Sequence, residues 1–286
     1  MLRKTEFERD TKYKLYRKVS DIIHPSISKR NISNYKIVFE DSLLPVRVFY
    51  PKKVSNINGI IIYVPGDGNL TNCCYEYTRI CSDLAIELDK LIIAVDYFDS
   101  PSIYPSILEK IEEVIKYLYD KLIENNIKKE NVILMGDSTG GNYVSSITFR
   151  FIKNKINYID KEILLYPILS GDYYEKSKFP SVNTGIICNK NLVMKIRNYM
   201  EEYAKFKKNL KLADVFPLLN KDYDNYPSTL IITGDLDPLR DEGEAFYKKL
   251  TSNSRYSNIE YASHGFINTS DLEIRHKYLD SIKKFI

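Results

Sequence analysis

Few local patterns restrict a fold as strongly as the one at residues 131–142. The apolar run Val132-Ile133-Leu134-Met135 leads into Gly136-Asp137-Ser138-Thr139-Gly140, and a segment of helical character begins at Asn142. A G-x-S-x-G placed between a strand and a helix describes a sharp turn that holds its serine in a strained backbone conformation. The residues two before and two after the serine pass close together, which asks for glycine at both. Such a turn lifts the serine oxygen above the end of a sheet, at the start of the next helix. Backbone N–H groups and the helix dipole favour a developing oxyanion there. With 11 glycines among 286 residues, G-x-S-x-G is expected by chance only about 0.03 times, before its strand–turn–helix setting is required.

The rest of the chain continues the alternation of short β-rich runs and longer helical segments, the pattern of a parallel sheet covered by helices. Residues 35–40 and 45–50 read as early strands. Residues 59–64, Gly-Ile-Ile-Ile-Tyr-Val, form a continuous apolar strand, as expected where both faces of a sheet are covered. Tyr77, Ile80, Cys81, Leu84 and Leu88 then recur at helical spacing, and residues 91–95 are the next strand. Pro105 fits a first helical turn ahead of Leu108, Ile111, Ile115, Leu118 and Leu122. Further strands are expected at 132–135, 162–166, 229–233 and 259–261, with a helix at 142–152. Ser270-Asp271-Leu272-Glu273 has the form of a capping box, with Ile274, Tyr278, Ile282 and Phe285 on the helix behind it. No Pro/Gly/Ser-rich linker divides the chain, so a single domain over 1–286 is expected. Two segments stand outside the alternation. Residues 1–30 carry Leu15, Val19, Ile22 and Ile23 at helical spacing, and residues 170–212 carry Leu192, Ile196, Tyr199, Met200 and Tyr203.

Composition narrows the function classes. The 42 basic residues nearly balance 38 acidic ones, and the basic runs, such as Lys205-Phe206-Lys207-Lys208, are short and read as a solvated face. This argues against nucleic acid as a partner. The charged N-terminus lacks an apolar signal region, and the longest strongly apolar stretch falls far short of the ~20 residues that span a bilayer, so no membrane insertion and a cytoplasmic location are expected. Cys73, Cys74, Cys81 and Cys188 show no C-x-x-C spacing, and the chain has three histidines. Reduced thiols and no metal site are therefore expected.

A serine nucleophile needs a base, and the base an orienting carboxylate. Downstream of Ser138 only His264 and His276 are available. His276 falls inside the final helix, whereas His264 sits in a loop beside Gly265. For the carboxylate, Asp237 follows the strand at 229–233. Asp235 is nearer the strand end, and Asp241 reads as a helix N-cap.

The sequence resembles the hormone-sensitive-lipase-like esterases of the α/β-hydrolase fold, a family that includes the arylacetamide deacetylases. Gly136-Asp137-Ser138-Thr139-Gly140-Gly141-Asn142 is similar to its G-D-S-A-G-G-N elbow, differing at Thr139. Residues 237–243, Asp-Pro-Leu-Arg-Asp-Glu-Gly, match its D-P-L-R-D-E-G block, and His264-Gly265-Phe266 matches its H-G-F block. Leu164-Leu165-Tyr166-Pro167 and Asp96-Tyr97 also stand where the family has similar residues. The resemblance runs from about residue 58 to the C-terminus. It implies a mostly parallel, eight-stranded sheet flanked by helices, with a helical cap built from about 1–30 and 170–212. It also implies a triad of Ser138, Asp237 and His264, which chooses Asp237 over its rivals. The family's H-G-G-G is replaced here by Pro65-Gly66-Asp67-Gly68, so the histidine that braces this loop is absent and a carboxylate stands where glycine is usual. The oxyanion hole implied is the backbone of Asp67, Gly68 and Thr139.

The expected function is that of a serine carboxylesterase acting on a small-molecule ester of short acyl chain, with no cofactor. Two alternatives stay open: a small-molecule binder on the same fold, which the altered loop would suit, and an amidase or peptidase using the same three residues.

Overall fold

The computed structural model describes residues 14–16, 18, 19, 22, 36–38, 43–52, 57, 59–66, 74–98, 100–174, 176–250 and 253–286. Nine strands join in one sheet: β1 (Lys14–Tyr16), β2 (Lys36–Val38), β3 (Val46–Phe49), β4 (Ile60–Val64), β5 (Leu91–Val95), β6 (Val132–Asp137), β7 (Lys161–Leu165), β8 (Ser228–Gly234) and β9 (Arg255–Ile259). Their order is β1-β2-β3-β5-β4-β6-β7-β8-β9. From β5 through β9 all neighbours are parallel, and only the pairings of β3 with β2 and with β5 are antiparallel. The strand beyond the eight expected is β1, which pairs parallel with β2.

β4, β5 and β6 are buried along their whole length, which explains their unbroken aliphatic runs. The two faces divide by the strand period of two. Ile60, Ile62 and Val64 of β4 join one apolar cluster with the helices α2 (Ser106–Glu124) and α3 (Ser138–Lys153). Ile61 and Tyr63 join the other, under α1 (Cys74–Leu88) and the C-terminal helix α7 (Leu272–Phe285). α1 links β4 to its neighbour β5, whereas α2 carries the chain back across β4 to β6. The winding therefore reverses at β4, and a crevice opens beyond the carboxyl ends of β4 and β6.

The segment expected to stand outside the sheet forms α4 (Pro180–Cys188), α5 (Lys190–Ala204) and a 3-10 turn (Lys207–Lys211). The buried face of α5, with Val193, Ile196, Tyr199, Met200 and Tyr203, shares the apolar cluster of α2 and α3. It is also tied there by hydrogen bonds, Tyr143 with Tyr199 hydroxyl at 2.8 Å and the Tyr104 N–H to the Tyr203 carbonyl at 2.8 Å. Near the N-terminus, Val19 and Ile22 have helical geometry and are buried in the same cluster, but Leu15 lies in β1 rather than in a helix.

Two local expectations need correction. The last strand is Arg255–Ile259, not 259–261: Tyr261 has φ of 60°, and the Ala262 N–H turns back to the Ile259 carbonyl, so the strand cannot continue. The cap of α7 is Asp271 rather than Ser270, its carboxylate accepting from the N–H groups of Glu273 and Ile274 at 2.9 and 3.1 Å.

Candidate active site

β6 ends at Asp137 and α3 begins at Ser138, so the strand–turn–helix junction falls on the serine. Ser138 has φ of 50°, a left-handed conformation that costs a non-glycine residue about 1–3 kcal/mol and persists only where the surroundings enforce it. They do so by close packing. A Cβ on Gly136 would lie 2.5 Å from the Gly140 carbonyl oxygen, and one on Gly140 would lie 2.0 Å from the carbonyl oxygen of Val64. Both contacts are with backbone and cannot be relieved by turning a side chain.

The other two residues arrive on loops locked to each other. Beyond β8 the Leu236 N–H donates to the Ala262 carbonyl at 3.0 Å, and the Asp235 N–H to the Ile259 carbonyl at 3.1 Å. The loop after β8 is thereby laid against the loop after β9. The Ser138 hydroxyl donates to His264 Nε2 at 2.9 Å, and His264 Nδ1–H donates to Asp237 Oδ2 at 3.0 Å. A carboxylate accepts only, so this bond places the imidazole proton on Nδ1 and leaves Nε2 as acceptor. The second oxygen of Asp237 accepts from the Leu239 N–H at 2.8 Å. The Asp237 side chain is fully buried and that of His264 is 7% exposed, so water does not compete for these bonds.

Of the rival carboxylates, Asp241 lies inside the first turn of α6 (Arg240–Tyr247) rather than capping it. It accepts from the Ser181 N–H at 2.6 Å and pairs with Arg240 at 2.9 Å. Asp235 meets the loop after β9 only through its backbone N–H. His276 is exposed on α7. Thr139 is buried in the first turn of α3, where backbone N–H groups face out of the helix end. Asp67 and Gly68 lie outside the described residues. Pro65 and Gly66, just before them, are firmly held: Tyr97 donates to the Pro65 carbonyl at 2.5 Å, and the Gly66 N–H donates to Asp137 Oδ1 at 2.7 Å.

Around this line stand groups that periodicity did not single out. Asp137 is buried and accepts from the hydroxyls of Tyr63, Tyr77 and Tyr166 at 2.5, 3.1 and 3.1 Å. Burial raises its carboxyl pKa, opposed by those three hydroxyls and the Gly66 N–H. Glu242 is buried on α6 and accepts from the Leu169 and Ser170 N–H groups, the Ser170 hydroxyl and the Tyr173 hydroxyl. Burial pushes it up to about 7, against the bonds from Ser170, Leu169 and Tyr173. For His264, burial is the largest influence and disfavours the charged ring. The charge and hydrogen bond of Asp237, with the charges of Asp137 and Glu242, outweigh it and raise the imidazole pKa. The only signal for these groups in the sequence is a tyrosine inside an otherwise aliphatic strand, Tyr63. Among the described residues, no group of three or more His, Cys, Asp and Glu side chains is placed to hold a metal ion.

A hydroxyl, an imidazole and a buried carboxylate in this sequence can pass a proton from oxygen to nitrogen while the ring is held in one tautomer.

Residues 61–268 match the α/β hydrolase fold family. An arylesterase of Saccharolobus solfataricus is 27% identical over 247 residues, covering 84% of this chain and 79% of that protein. The neutral cholesterol ester hydrolase 1 of Mus musculus is 28% identical over 152 residues, half of this chain and 37% of its own length. Among solved structures, carboxyl esterase 2 of Tuber melanosporum superposes with a TM-score of 0.74 at 21% identity, over 85% of this chain and 82% of that one. With the sheet order, the elbow and the matched residues in agreement, the chain belongs to the hormone-sensitive-lipase-like family of α/β hydrolases.

Proposed function

We propose that the protein is a serine carboxylesterase that hydrolyses small-molecule esters of short acyl chain through an acyl-enzyme on Ser138. The observation that carries this reading is the unbroken hydrogen-bonded line from Ser138 through His264 to Asp237. In the first half-reaction the Ser138 oxygen bonds to the ester carbonyl carbon as its proton passes to His264 Nε2. Collapse of the tetrahedral intermediate breaks the bond to the alkoxy oxygen, which leaves as the alcohol carrying that proton. In the second, water gives a proton to His264 and adds to the acyl carbon, and Ser138 leaves with the proton returned. Asp237 holds the ring and stabilises the imidazolium. The Thr139 N–H at the start of α3, with the backbone of Asp67 and Gly68, receives the oxyanion. The printed activities of the arylesterase and carboxyl esterase relatives support an ester as substrate.

We assign the segments 1–30 and 170–212 to a cap over this site. Support comes from the root of α4, where the Ser181 hydroxyl donates to the Pro238 carbonyl at 2.8 Å and accepts from the Asp241 N–H at 3.2 Å. These bonds fasten the cap to the turn that carries Asp237.

The test is hydrolysis of p-nitrophenyl acetate, butyrate and octanoate by the purified chain beside Ser138→Ala, with matched p-nitroanilides. Ester turnover that Ser138→Ala abolishes, falling with chain length, is expected. Faster anilide than ester turnover would make the protein an amidase. No turnover from folded protein would leave a binding role on the same fold.

A further inference from the structure

Asp137, the residue before the serine, has a neighbourhood that a spacer in a turn does not need. Four donors converge on it from four different elements. Oδ1 takes the Tyr63 hydroxyl from β4 and the Gly66 N–H, and Oδ2 takes the Tyr77 hydroxyl from α1 and the Tyr166 hydroxyl at the end of β7. Four donors on two oxygens satisfy an ionised carboxylate. The arrangement reaches the reacting groups on two sides. A Cβ on Gly66 would meet the Asp137 carbonyl oxygen at 2.7 Å and the Ser138 Cβ at 2.9 Å, so the entrance of the altered Pro65-Gly66 turn is clamped onto the elbow. On the other side, the ring of Tyr166 stands edge-on to His264, centroids 4.9 Å apart, while its hydroxyl stays on Asp137.

We propose that Asp137 is a positioning residue of the reaction: a second buried carboxylate that clamps Gly66 to the elbow and, through Tyr166, orients and electrostatically supports His264. It takes over the bracing for which the family resemblance leads one to expect a histidine. The proposal rests on the esterase reading for its role in turnover, but its electrostatic part is testable without any turnover. The charged and titratable groups facing His264 are Asp237, Asp137 and Glu242, with Tyr166 against its ring. Those facing Asp137 are Tyr63, Tyr77 and Tyr166. Of the three carboxylates, Asp137 is the one bonded to the elbow itself.

Asp137→Asn isolates the charge. Gly66 N–H can only donate, so the amide oxygen stays with it, and the amide NH2 then faces Tyr77 and Tyr166, whose hydroxyls can rotate to accept. The shape is kept and the negative charge is lost. The experiment is NMR titration of the His264 imidazole in wild type and Asp137→Asn, with His264→Gln identifying the resonance among three histidines. We expect the midpoint to fall by about one pH unit. In kinetics on p-nitrophenyl butyrate we expect kcat to fall about 10- to 100-fold with KM changed by less than about threefold. An unchanged midpoint overturns the proposal, whatever happens to stability. If Asp137→Asn does not fold, Tyr166→Phe keeps the ring on His264 and removes one donor. A lowered midpoint then supports the proposal, and a wild-type midpoint with wild-type kcat overturns it. Should the wild-type chain hydrolyse no ester, the esterase reading fails while the titration still decides the role of Asp137.

Discussion

Asp237→Asn tests the orienting carboxylate most sharply, because the surroundings dictate how the amide must sit. In the native site one oxygen accepts from the Leu239 N–H at 2.8 Å and the other from His264 Nδ1–H at 3.0 Å. Asparagine has one accepting and one donating end. If its oxygen keeps the Leu239 N–H, its NH2 donates to His264 Nδ1 and drives the imidazole proton to Nε2. Nε2 can then no longer accept from Ser138, and a mis-set tautomer of this kind costs about 10⁴ in kcat. The reverse orientation preserves the tautomer but sets NH2 against a buried N–H. An unsatisfied buried donor costs about 1–3 kcal/mol, so this productive form is a minority by about 5- to 150-fold. It also lacks the negative charge that stabilises the imidazolium. Both routes together predict a loss in kcat/KM between about 10² and 10⁴, with little change in melting temperature since the two residues are nearly isosteric. The assay is p-nitrophenyl butyrate hydrolysis at pH 8 alongside a thermal melt. A loss below about tenfold in a folded variant would refute the claim that this carboxylate sets the tautomer.

Other outcomes follow from the same geometry. Because the surrounding carboxylates raise the His264 pKa above 6.5, and the base must be neutral to accept the serine proton, kcat/KM should rise with pH through a midpoint above 6.5; a pH–rate profile reads it. Gly140→Ala drives a Cβ into the Val64 carbonyl, 2.0 Å away, and should destabilise by about 1–3 kcal/mol or more and abolish turnover, seen by thermal melt and ester assay. Glu162, buried on β7 and bonded by Thr148 and Thr229, is pushed up to about 7 by burial, those hydroxyls opposing. A carboxyl raised on folding from 4.5 stabilises the native state below the unfolded value and loses that stability as pH climbs through about 7. Glu162→Gln should therefore melt higher than wild type at pH 8, by up to about 3 kcal/mol in stability, and show little advantage at pH 4; equal melting shifts at both pH values would contradict this.

How much of this was legible in the sequence depends on whether a feature is local in the chain. The elbow is local: Gly136, Ser138 and Gly140 carry in five residues the steric conditions of a turn that also fixes a strand before it and a helix after it. The same holds for the aliphatic runs of β4, β5 and β6, whose burial on both faces leaves no polar position to blur them. Where periodicity erred, a single residue overruled it: Tyr261 at φ 60° ends β9 early. At the N-terminus, Leu15 fits the helical spacing of Val19 and Ile22, yet pairing with β2 draws it into a strand. The polar groups around the site were not legible at all, because each is assembled from distant segments. Tyr63, Tyr77, Asp137 and Tyr166 come from three strands and a helix, and Glu242 reaches back 73 residues to the Leu169 N–H. Such a cluster leaves no period and no spacing, only hydroxyls and carboxyls in segments that the apolar pattern assigns to the core. A buried polar group costs stability unless every partner is present, so its persistence needs a reason beyond packing. In this chain the two densest polar clusters, on Asp137 and Glu242, are the two whose charges bear on His264 after Asp237. That coincidence is the physical ground for treating the site as one electrostatic unit of three carboxylates about one imidazole. On that view, the Asp of G-D-S-T-G is part of the machinery and its place in the motif is not mere spacing.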